Sequence, residues 1–190
     1  MIRELILKNR SYRRYFGDEK ITKDELKAFV ELARISPSAA NRQPLKYFLS
    51  DAEPLNSSIF QCLAWAGYLK DWKGPEKDER PTAYIVILGD TEISKSFFET
   101  DYGIAAQSML LGAVEKGYGG CILAAVDRNK LREVLSLSEQ YTILAVIALG
   151  RPKEEVVIET LQPEGDIKYW RDEQQVHHVP KRSLDELIIN

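Results

Sequence analysis

A short segment near the N-terminus concentrates positive charge beside a hydroxyl group. Residues 9–16 read N-R-S-Y-R-R-Y-F, so three arginines and one serine fall within five positions. Each arginine fork can bind phosphate oxygens in a bidentate manner, and the hydroxyl of Ser11 adds a neutral donor. The segment therefore predicts a phosphomonoester site, while the residues alone leave an exposed basic turn open as the alternative.

Two further segments have the composition expected around a flat ligand. Residues 37–44 read P-S-A-A-N-R-Q-P, where small side chains permit close backbone approach and Asn41 and Gln43 can both donate and accept hydrogen bonds. An ordinary connection between a helix and a strand is the alternative there. Residues 117–125 read G-Y-G-G-C-I-L-A-A, whose backbone amides could donate to a ring nitrogen. Neither the dinucleotide fingerprint GxGxxG nor the phosphate loop GxxxxGK[ST] occurs in the sequence.

The remaining reactive side chains do not form a catalytic set. Cys62 and Cys121 lack zinc-ligand spacing, and two cysteines do not make a disulfide framework, so both are expected to be reduced thiols. His177 and His178 are adjacent in a polar stretch without a third metal ligand, and they are expected at the surface. No GxSxG elbow supports a serine nucleophile. Neither a metal site nor a catalytic side chain is predicted.

Hydrophobic periodicity predicts the elements that must position these segments. A capping-box pattern at Thr22 and Glu25 starts a helix that ends before Pro37. Further helices are predicted over residues 59–69, 101–116 and 129–135. Strands are predicted over residues 45–49, 83–88, 121–126 and 143–149. Two of these strands are apolar almost throughout, which indicates burial on both faces, and the polar residues 71–81 should be an exposed loop.

The composition changes after Pro152. Residues 153–182 are polar and carry charge clusters, whereas the last residues are apolar again. This pattern predicts a tail that crosses a surface and docks at its end, and a partner subunit can provide that surface. Strands and helices mix without strict βαβ alternation, which predicts an α+β fold or a loosely layered α/β fold.

Length and composition limit the class of protein. The chain has 190 residues, which corresponds to one domain. Its 26 basic and 29 acidic side chains give a net charge of −3, without the basic surplus typical of nucleic-acid-binding proteins. The N-terminus lacks the apolar core of a signal peptide, and the longest apolar run is far shorter than the roughly 20 residues of a membrane span. A cytoplasmic protein without nucleic-acid or membrane partners is expected.

Taken in order along the chain, these segments resemble the nitroreductase family of flavin enzymes. The family pattern is an R-S-x-R cluster, a P-S-x-x-N-x-Q-P loop, a glycine-led segment and an apolar strand that ends in Gly-x-Pro. It corresponds here to residues 10–13, 37–44, 119–121 and 149–152. Residues 179–186 are also similar to the basic C-terminal element of the family, so the resemblance covers nearly the whole chain.

The resemblance implies both a fold and an assembly. The fold would be an α+β three-layer sandwich, with a mixed and mainly antiparallel central sheet flanked by helices. Residues 1–190 would form a single FMN-binding domain. Two chains would form a homodimer with swapped termini, in which residues 153–190 are an extended C-terminal tail that packs on the partner subunit. One FMN would lie in each of two clefts at the interface.

The resemblance also assigns residues to the cofactor. The residues implied to hold the phosphate and ribityl chain come from both ends of the chain: Arg10, Ser11, Arg13, Lys181 and Arg182. Those implied to approach the flavin from the partner subunit are Pro37, Ser38 and Asn41. Backbone groups around Leu123, Ala124 and Ala125 would face the flavin ring near its N5 atom. Residues 65–72 would cover the site, with Tyr68 and Trp72 either stacking on substrate or packing in the interface.

The activity implied by the resemblance is that of an FMN-dependent oxidoreductase. It would pass hydride from NADH or NADPH through the flavin to a nitroaromatic, a quinone or a similar small acceptor. The flavin carries this chemistry, which agrees with the lack of a candidate nucleophile or general base in the sequence. Two alternatives stay open: a flavin-fragmenting or dehalogenating enzyme on the same scaffold, and a non-catalytic flavin-binding protein.

Overall fold

A five-stranded sheet forms the middle layer of the protein, in a computed structural model that describes residues 1–189. Its strands are β1 (Tyr15–Phe16), β2 (Leu45–Ser50), β3 (Ala83–Asp90), β4 (Gly119–Leu123) and β5 (Tyr141–Pro152). β3 lies between β2 and β5, and the other edge of β5 pairs with β4 and, at its end, with β1. Every one of these strand pairs is antiparallel.

Helices cover both faces of this sheet. They are α1 (Ile2–Lys8), α2 (Lys23–Arg34), α3 (Leu55–Phe60), α4 (Phe98–Glu115) and α5 (Arg128–Leu135). Alternate residues of β3 point to opposite faces, so Ile85 and Ile87 pack with α2 and α4, whereas Tyr84 and Val86 pack with α3 and α5. Burial on both faces explains why this strand reads as a continuous apolar run. The three-layer α+β sandwich expected from the sequence is therefore confirmed.

A second, small sheet lies at the C-terminal side of the chain. Its strands are β6 (Val156–Thr160), β7 (Trp170–Arg171) and β8 (His177–Lys181), and the central strand β8 runs parallel to β6 and antiparallel to β7. Parallel pairing occurs here and at the isolated bridge between Ser11 and Gly120, not among the five strands of the large sheet. The apolar side chains beyond β8 are exposed: Leu184, Leu187, Ile188 and Ile189.

The predicted start of α2 is confirmed in atomic detail. The backbone N–H of Glu25 donates to Thr22 Oγ1, and the backbone N–H of Thr22 donates to the Glu25 carboxylate at 2.9 Å. The predicted helix over residues 59–69 is wrong, because α3 ends at Phe60. Leu63 instead pairs with Val126, and the backbone N–H of Ala64 donates to the carbonyl of Ala125 at 3.0 Å. Tertiary pairing has replaced the helical hydrogen bonds there.

Two other segments differ from the sequence predictions in their details. The strand predicted over residues 121–126 begins two residues earlier and ends at Leu123, because the glycines belong to the pairing with β5. Residues 71–81 are irregular as expected, with one short 3₁₀ turn at Lys77–Glu79, but Pro75 and Pro81 are buried. Both cysteines are free and buried.

We expect the substitution Gly120→Ala to destabilise the protein by about 2 kcal/mol, which urea unfolding measures. A Cβ at this position would lie 2.7 Å from the carbonyl oxygen of Ala148 and 2.7 Å from a methyl group of Leu110. The carbonyl belongs to the paired strand β5 and cannot move aside cheaply. Gly103, where a Cβ would meet nothing within 4 Å, provides the control: Gly103→Ala should not destabilise. An equal loss in both variants would contradict the steric explanation.

Within residues 1–189, no helix has both the length and the apolar character needed to cross a membrane.

Candidate functional site

A cavity of about 250 Å³ lies between the end of α1 and strand β8. It is lined by Asn9, Arg10, Ser11, Arg13, Tyr169, His177, Val179 and Lys181. Three of these side chains are cationic at neutral pH, and no carboxylate is among the described residues that line it. We call this space the arginine cavity. Its charge favours an anionic ligand.

The N-terminal side of the arginine cavity is fixed by its connection to β4. The chain leaves α1 in an extended conformation at Asn9, so the next residues lie beside the sheet instead of continuing the helix. Ser11 forms a parallel bridge with Gly120, and the backbone N–H of Tyr12 donates to the Gly120 carbonyl at 3.1 Å. Nη2 of Arg10 donates to the carbonyl of Ile6 at 2.7 Å, which holds this side chain against the end of α1.

Arg13 is the buried cation of the arginine cavity, with only 8% of its surface exposed. Its Nη1 donates to the carbonyl of Ser11 at 3.0 Å and contacts Nε2 of His177 at 3.1 Å, and its guanidinium lies 4.6 Å from the centre of the Tyr169 ring. Because arginine can only donate, Nε2 of His177 must accept, and the proton of a neutral His177 is then on Nδ1.

Three buried nitrogen atoms at this cavity lack a hydrogen-bond partner within the described part of the chain. They are Nε of Arg10, Nε of Arg13 and Nδ1 of His177. The Nε atoms of Arg80 and Arg171, which do not line the cavity, lack a partner as well, so these three atoms do not by themselves indicate a ligand. The side chains that line the cavity, two guanidinium groups, one ammonium group and one hydroxyl, fit a group that brings several acceptor oxygens and negative charge, as a phosphate does.

The expectation that His177 and His178 both lie at the surface is wrong for His177, which is 1% exposed. The two residues occupy neighbouring positions of β8, and successive side chains of a strand point to opposite faces. His177 faces Arg13, and burial together with the charges of Arg13 and Arg171 lowers its pKa to about 4. His178 faces the other way, stacks on Trp170 at 4.0 Å, and its pKa is raised by hydrogen bonds to Asp172 and Glu159.

Acidification should destabilise the protein through His177. The pKa of this group is about 4 in the folded state and about 6.5 when unfolded, so between these values the unfolded chain binds more protons. We therefore expect the free energy of unfolding to fall between pH 6.5 and pH 4, by up to about 3 kcal/mol from this residue. Urea titrations of His177→Gln should show a smaller loss over the same range. An identical pH dependence in both proteins would contradict the assignment.

A buried carboxylate behind the arginine cavity joins its two sides. Glu154 accepts hydrogen bonds from the backbone N–H groups of Arg13 and Arg14 and from Nη2 of Arg171, the last at 2.9 Å. Its side chain is fully buried, so the negative charge is balanced within the protein and not by solvent. The residue lies two positions after the end of β5, and nothing in the polar sequence around it distinguishes it from its neighbour Glu155.

The end of β4 presents backbone donors. Leu123 is buried, whereas Ala124 and Ala125 are exposed. The carbonyl of Ala125 accepts from Ala64, but no acceptor within residues 1–189 takes a hydrogen bond from the backbone N–H of Ala124 or of Ala125. Because both residues are exposed and carry only methyl side chains, their N–H groups are candidate donors to the edge of a flat ligand.

The loop that contains Pro37, Ser38 and Asn41 borders a second cavity, of about 340 Å³, between α2, β2 and α4, but Asn41 does not line it. Pro37 and Ser38 line it, and Asp101 of α4 holds the loop: its carboxylate accepts from Oγ of Ser38 at 2.7 Å and from the backbone N–H of Ala39 at 2.8 Å. Asn41 has a left-handed backbone with φ of 52°, and its side chain accepts a hydrogen bond from Gln43. The two cavities share no lining residue.

The structure brings together four of the eleven residues assigned from the sequence, namely Arg10, Ser11, Arg13 and Lys181. Arg182 does not line the arginine cavity; its guanidinium is exposed and lies 3.6 Å from the carboxylate of Glu186. Two residues that the sequence did not assign to the site, Tyr169 and His177, line the same cavity, and a third, Glu154, holds the backbone of Arg13 from behind it. A strand pattern around residues 177–181 is the signal that could have indicated an inward-facing histidine.

The segment predicted to cover the site lies close to the arginine cavity. Tyr68 is 46% exposed, and its ring centre is 4.9 Å from that of Tyr169, which lines the cavity. Trp72 packs within the chain, under the guanidinium of Arg171 at 4.3 Å. Of the two aromatic side chains, Tyr68 is therefore the one available to a ligand.

Comparison with known proteins agrees with this arrangement. A sequence model described as "Nitroreductase family" matches residues 6–151, which is most of the chain. The chain belongs to the nitroreductase family. The matched part includes the arginine segment, the loop that precedes β2 and the glycine-led strand β4, and it ends in β5.

Individual nitroreductase relatives share the fold at low sequence identity. A protein of Archaeoglobus fulgidus with the provisional name NADH dehydrogenase/NAD(P)H nitroreductase is 26% identical, covering 80% of this chain and 86% of its own. A solved FMN-dependent nitroreductase from Clostridium difficile has a TM-score of 0.67 at 25% identity, covering 82% and 89% of the two chains. A provisionally named nitroreductase of Desulfovibrio desulfuricans, solved in complex with FMN, has a TM-score of 0.70 at 22% identity and covers 100% of this chain and 95% of its own.

Proposed function

We propose that the chain binds FMN, with the phosphate in the arginine cavity. The observation that carries this proposal is that Arg10, Ser11, Arg13 and Lys181 line one cavity without a lining carboxylate. A phosphate ester can accept hydrogen bonds from the two guanidinium groups and from the hydroxyl of Ser11, and Lys181 adds charge at the rim. The FMN-dependent relative from Clostridium difficile supports the choice of this cofactor among phosphate esters.

The flavin ring would then lie against the end of β4. Ser11 pairs with Gly120, so the phosphate segment and the exposed backbone at Ala124 belong to the same edge of the sheet. The N–H groups of Ala124 and Ala125 are available to the polar edge of the ring, and their methyl groups leave its approach unobstructed. Leu123 contributes its backbone only, because its side chain is buried.

The proposed activity is reduction of a small acceptor, such as a nitroaromatic or a quinone, by NADH or NADPH. FMN, when bound, supplies the redox chemistry by accepting a hydride from the nicotinamide and passing on the two electrons. The residues of this chain contribute binding and orientation: the arginine cavity holds the phosphate, and the N–H groups at residues 124–125 stabilise negative charge on the ring. No side chain has to act as nucleophile or base.

A second copy of the chain is part of the proposal. Pro37 and Ser38 line a cavity that shares no residue with the arginine cavity, which supports the proposal that the two groups reach one FMN from different subunits. No residue of α1 is buried, and Ile2, Ile6 and Leu7 are exposed, as expected for a helix that packs against a second subunit. Residues 1–190 would still form a single domain. The exposed apolar residues after β8 would pack on the partner subunit, whereas the small sheet would stay in contact with Arg13 of its own chain.

The spectrum of the purified protein tests cofactor binding. We expect bound FMN to be visible as flavin absorption after gel filtration, and light scattering to give the mass of a dimer. Protein that retains no flavin even after incubation with FMN would overturn the proposal.

Turnover assays then test the reaction. Each of NADH and NADPH is combined with a nitroaromatic and with a quinone, and oxidation of the nicotinamide is followed. A flavin-loaded protein that oxidises neither nicotinamide would overturn the reductase assignment and favour a flavin-binding or flavin-fragmenting role. The cytoplasmic location, and the absence of nucleic-acid and membrane partners, stay predictions from the sequence.

A further inference from the structure

The backbone after β4 is held by a side chain outside both cavities, that of Arg128 at the start of α5. Its Nη2 donates to the carbonyl oxygen of Ala124 at 3.2 Å and to that of Leu144 at 3.3 Å. Its Nε donates to the carbonyl oxygen of Ile143 at 3.0 Å. One guanidinium therefore joins the segment at residues 124–125 to the beginning of β5.

An irregularity in β5 supplies two of these acceptors. Ile87 of β3 pairs with Ala145, but the next residue, Leu88, pairs with Ile143, so Leu144 is an extra residue without a partner on β3. A bulge of this kind takes backbone groups out of the ladder and leaves them available to side chains. The contact between Arg128 and Leu144 is therefore a consequence of the bulge.

The contact with Ala124 affects the neighbouring donor. The carbonyl of Ala124 and the N–H of Ala125 are the two ends of one peptide group. A hydrogen bond to the carbonyl polarises this group and makes its N–H a stronger donor, and a charged donor such as a guanidinium does so more than a neutral one. Ala125 N–H has no acceptor within residues 1–189, so this donor capacity is available to a ligand.

We propose that Arg128 is a positioning residue that aims and polarises the Ala125 N–H toward the flavin ring, so that reduced FMN binds more tightly relative to oxidised FMN. This inference rests on the proposed function. The added electrons of the reduced ring increase the negative charge at its polar edge, which favours a strong donor and a nearby cation. A residue that only joined α5 to β5 would instead affect the two oxidation states of FMN equally.

The test uses the full chain loaded with FMN and compares Arg128→Met, which removes charge and donors, with Arg128→Lys, which keeps the charge. Dissociation constants are measured for oxidised FMN and, under anaerobic conditions, for reduced FMN. In Arg128→Met we expect the ratio of the oxidised to the reduced dissociation constant to fall about twofold, because one hydrogen bond strengthens the next in a chain by roughly 10–30%. Arg128→Lys should recover part of this ratio.

Arg132 provides a matched control on the same helix. It also donates to backbone carbonyls, those of Leu137, Ser138 and Tyr141, but none of them is near residue 124 in the chain. Arg132→Met should leave the ratio of dissociation constants unchanged. In the protein without FMN, the amide resonance of Ala125 should shift upfield in Arg128→Met and stay in place in Arg132→Met.

Each outcome separates this inference from the proposed function. If the unaltered protein binds FMN but Arg128→Met weakens oxidised and reduced FMN by the same factor, the inference is wrong and the proposed function stands. An unmoved Ala125 resonance would also overturn the inference. If the unaltered protein binds no FMN, the proposed function fails and this inference fails with it.

Discussion

Replacing Arg13 by glutamine is expected to weaken FMN binding about 100-fold, since charge-assisted hydrogen bonds contribute about 1.5–3 kcal/mol each. Arg13 is buried and held in place by the Ser11 carbonyl and by His177, so its guanidinium needs no reorganisation when a phosphate enters. Glutamine keeps a donor but loses the charge and the fork. Fluorescence titration of the flavin-free protein with FMN measures the dissociation constant directly.

Two further variants make this result specific. Arg151→Gln removes an equal charge from the exposed end of β5, where the side chain pairs with Glu19, and should change the dissociation constant less than about twofold. Lys181→Gln alters an exposed side chain at the rim of the arginine cavity and cannot harm folding through the core. We expect about tenfold weaker binding in this variant. Unchanged affinity in both Arg13→Gln and Lys181→Gln would show that the phosphate lies elsewhere.

The substitution Glu154→Gln is expected to lower the free energy of unfolding by roughly 3 kcal/mol, because it breaks a buried ion pair and leaves Arg171 without its counter-charge. The glutamine oxygen could still accept from the N–H groups of Arg13 and Arg14, but its NH₂ group would then face the donating Nη2 of Arg171. Because Glu154 joins the N-terminal segment to β7, the loss should be accompanied by weaker FMN binding.

Urea unfolding at neutral pH measures this effect. The matched control is Glu31→Gln, which breaks an exposed pair with Arg34 on α2 and should leave the free energy of unfolding nearly unchanged. An equal loss of unfolding free energy in Glu154→Gln and Glu31→Gln would contradict the expectation that burial strengthens the interactions of Glu154. Lower stability without any change in FMN affinity would show that the small sheet of β6, β7 and β8 does not influence binding in the arginine cavity.

Elements whose signal is local were predictable from the sequence. The capping box at Thr22 and the apolar run of β3 depend on neighbours within a few residues, and both are present as expected. The predicted helix at residues 59–69 failed because Leu63 finds its partner at Val126, far along the chain. Periodicity cannot report a partner so distant, and tertiary pairing overrides a short apolar pattern.

The sequence by itself determined the residue types of the site, since Arg10, Ser11 and Arg13 lie in one short segment whose chemistry is readable without a fold. Only the tertiary structure decided what faces them. His177 and Glu154 come from the other end of the chain, and strand alternation and burial make one a neutral acceptor and the other a buried counter-charge. Contacts between segments more than a hundred residues apart depend on the sheet that joins them, and no local pattern encodes that geometry.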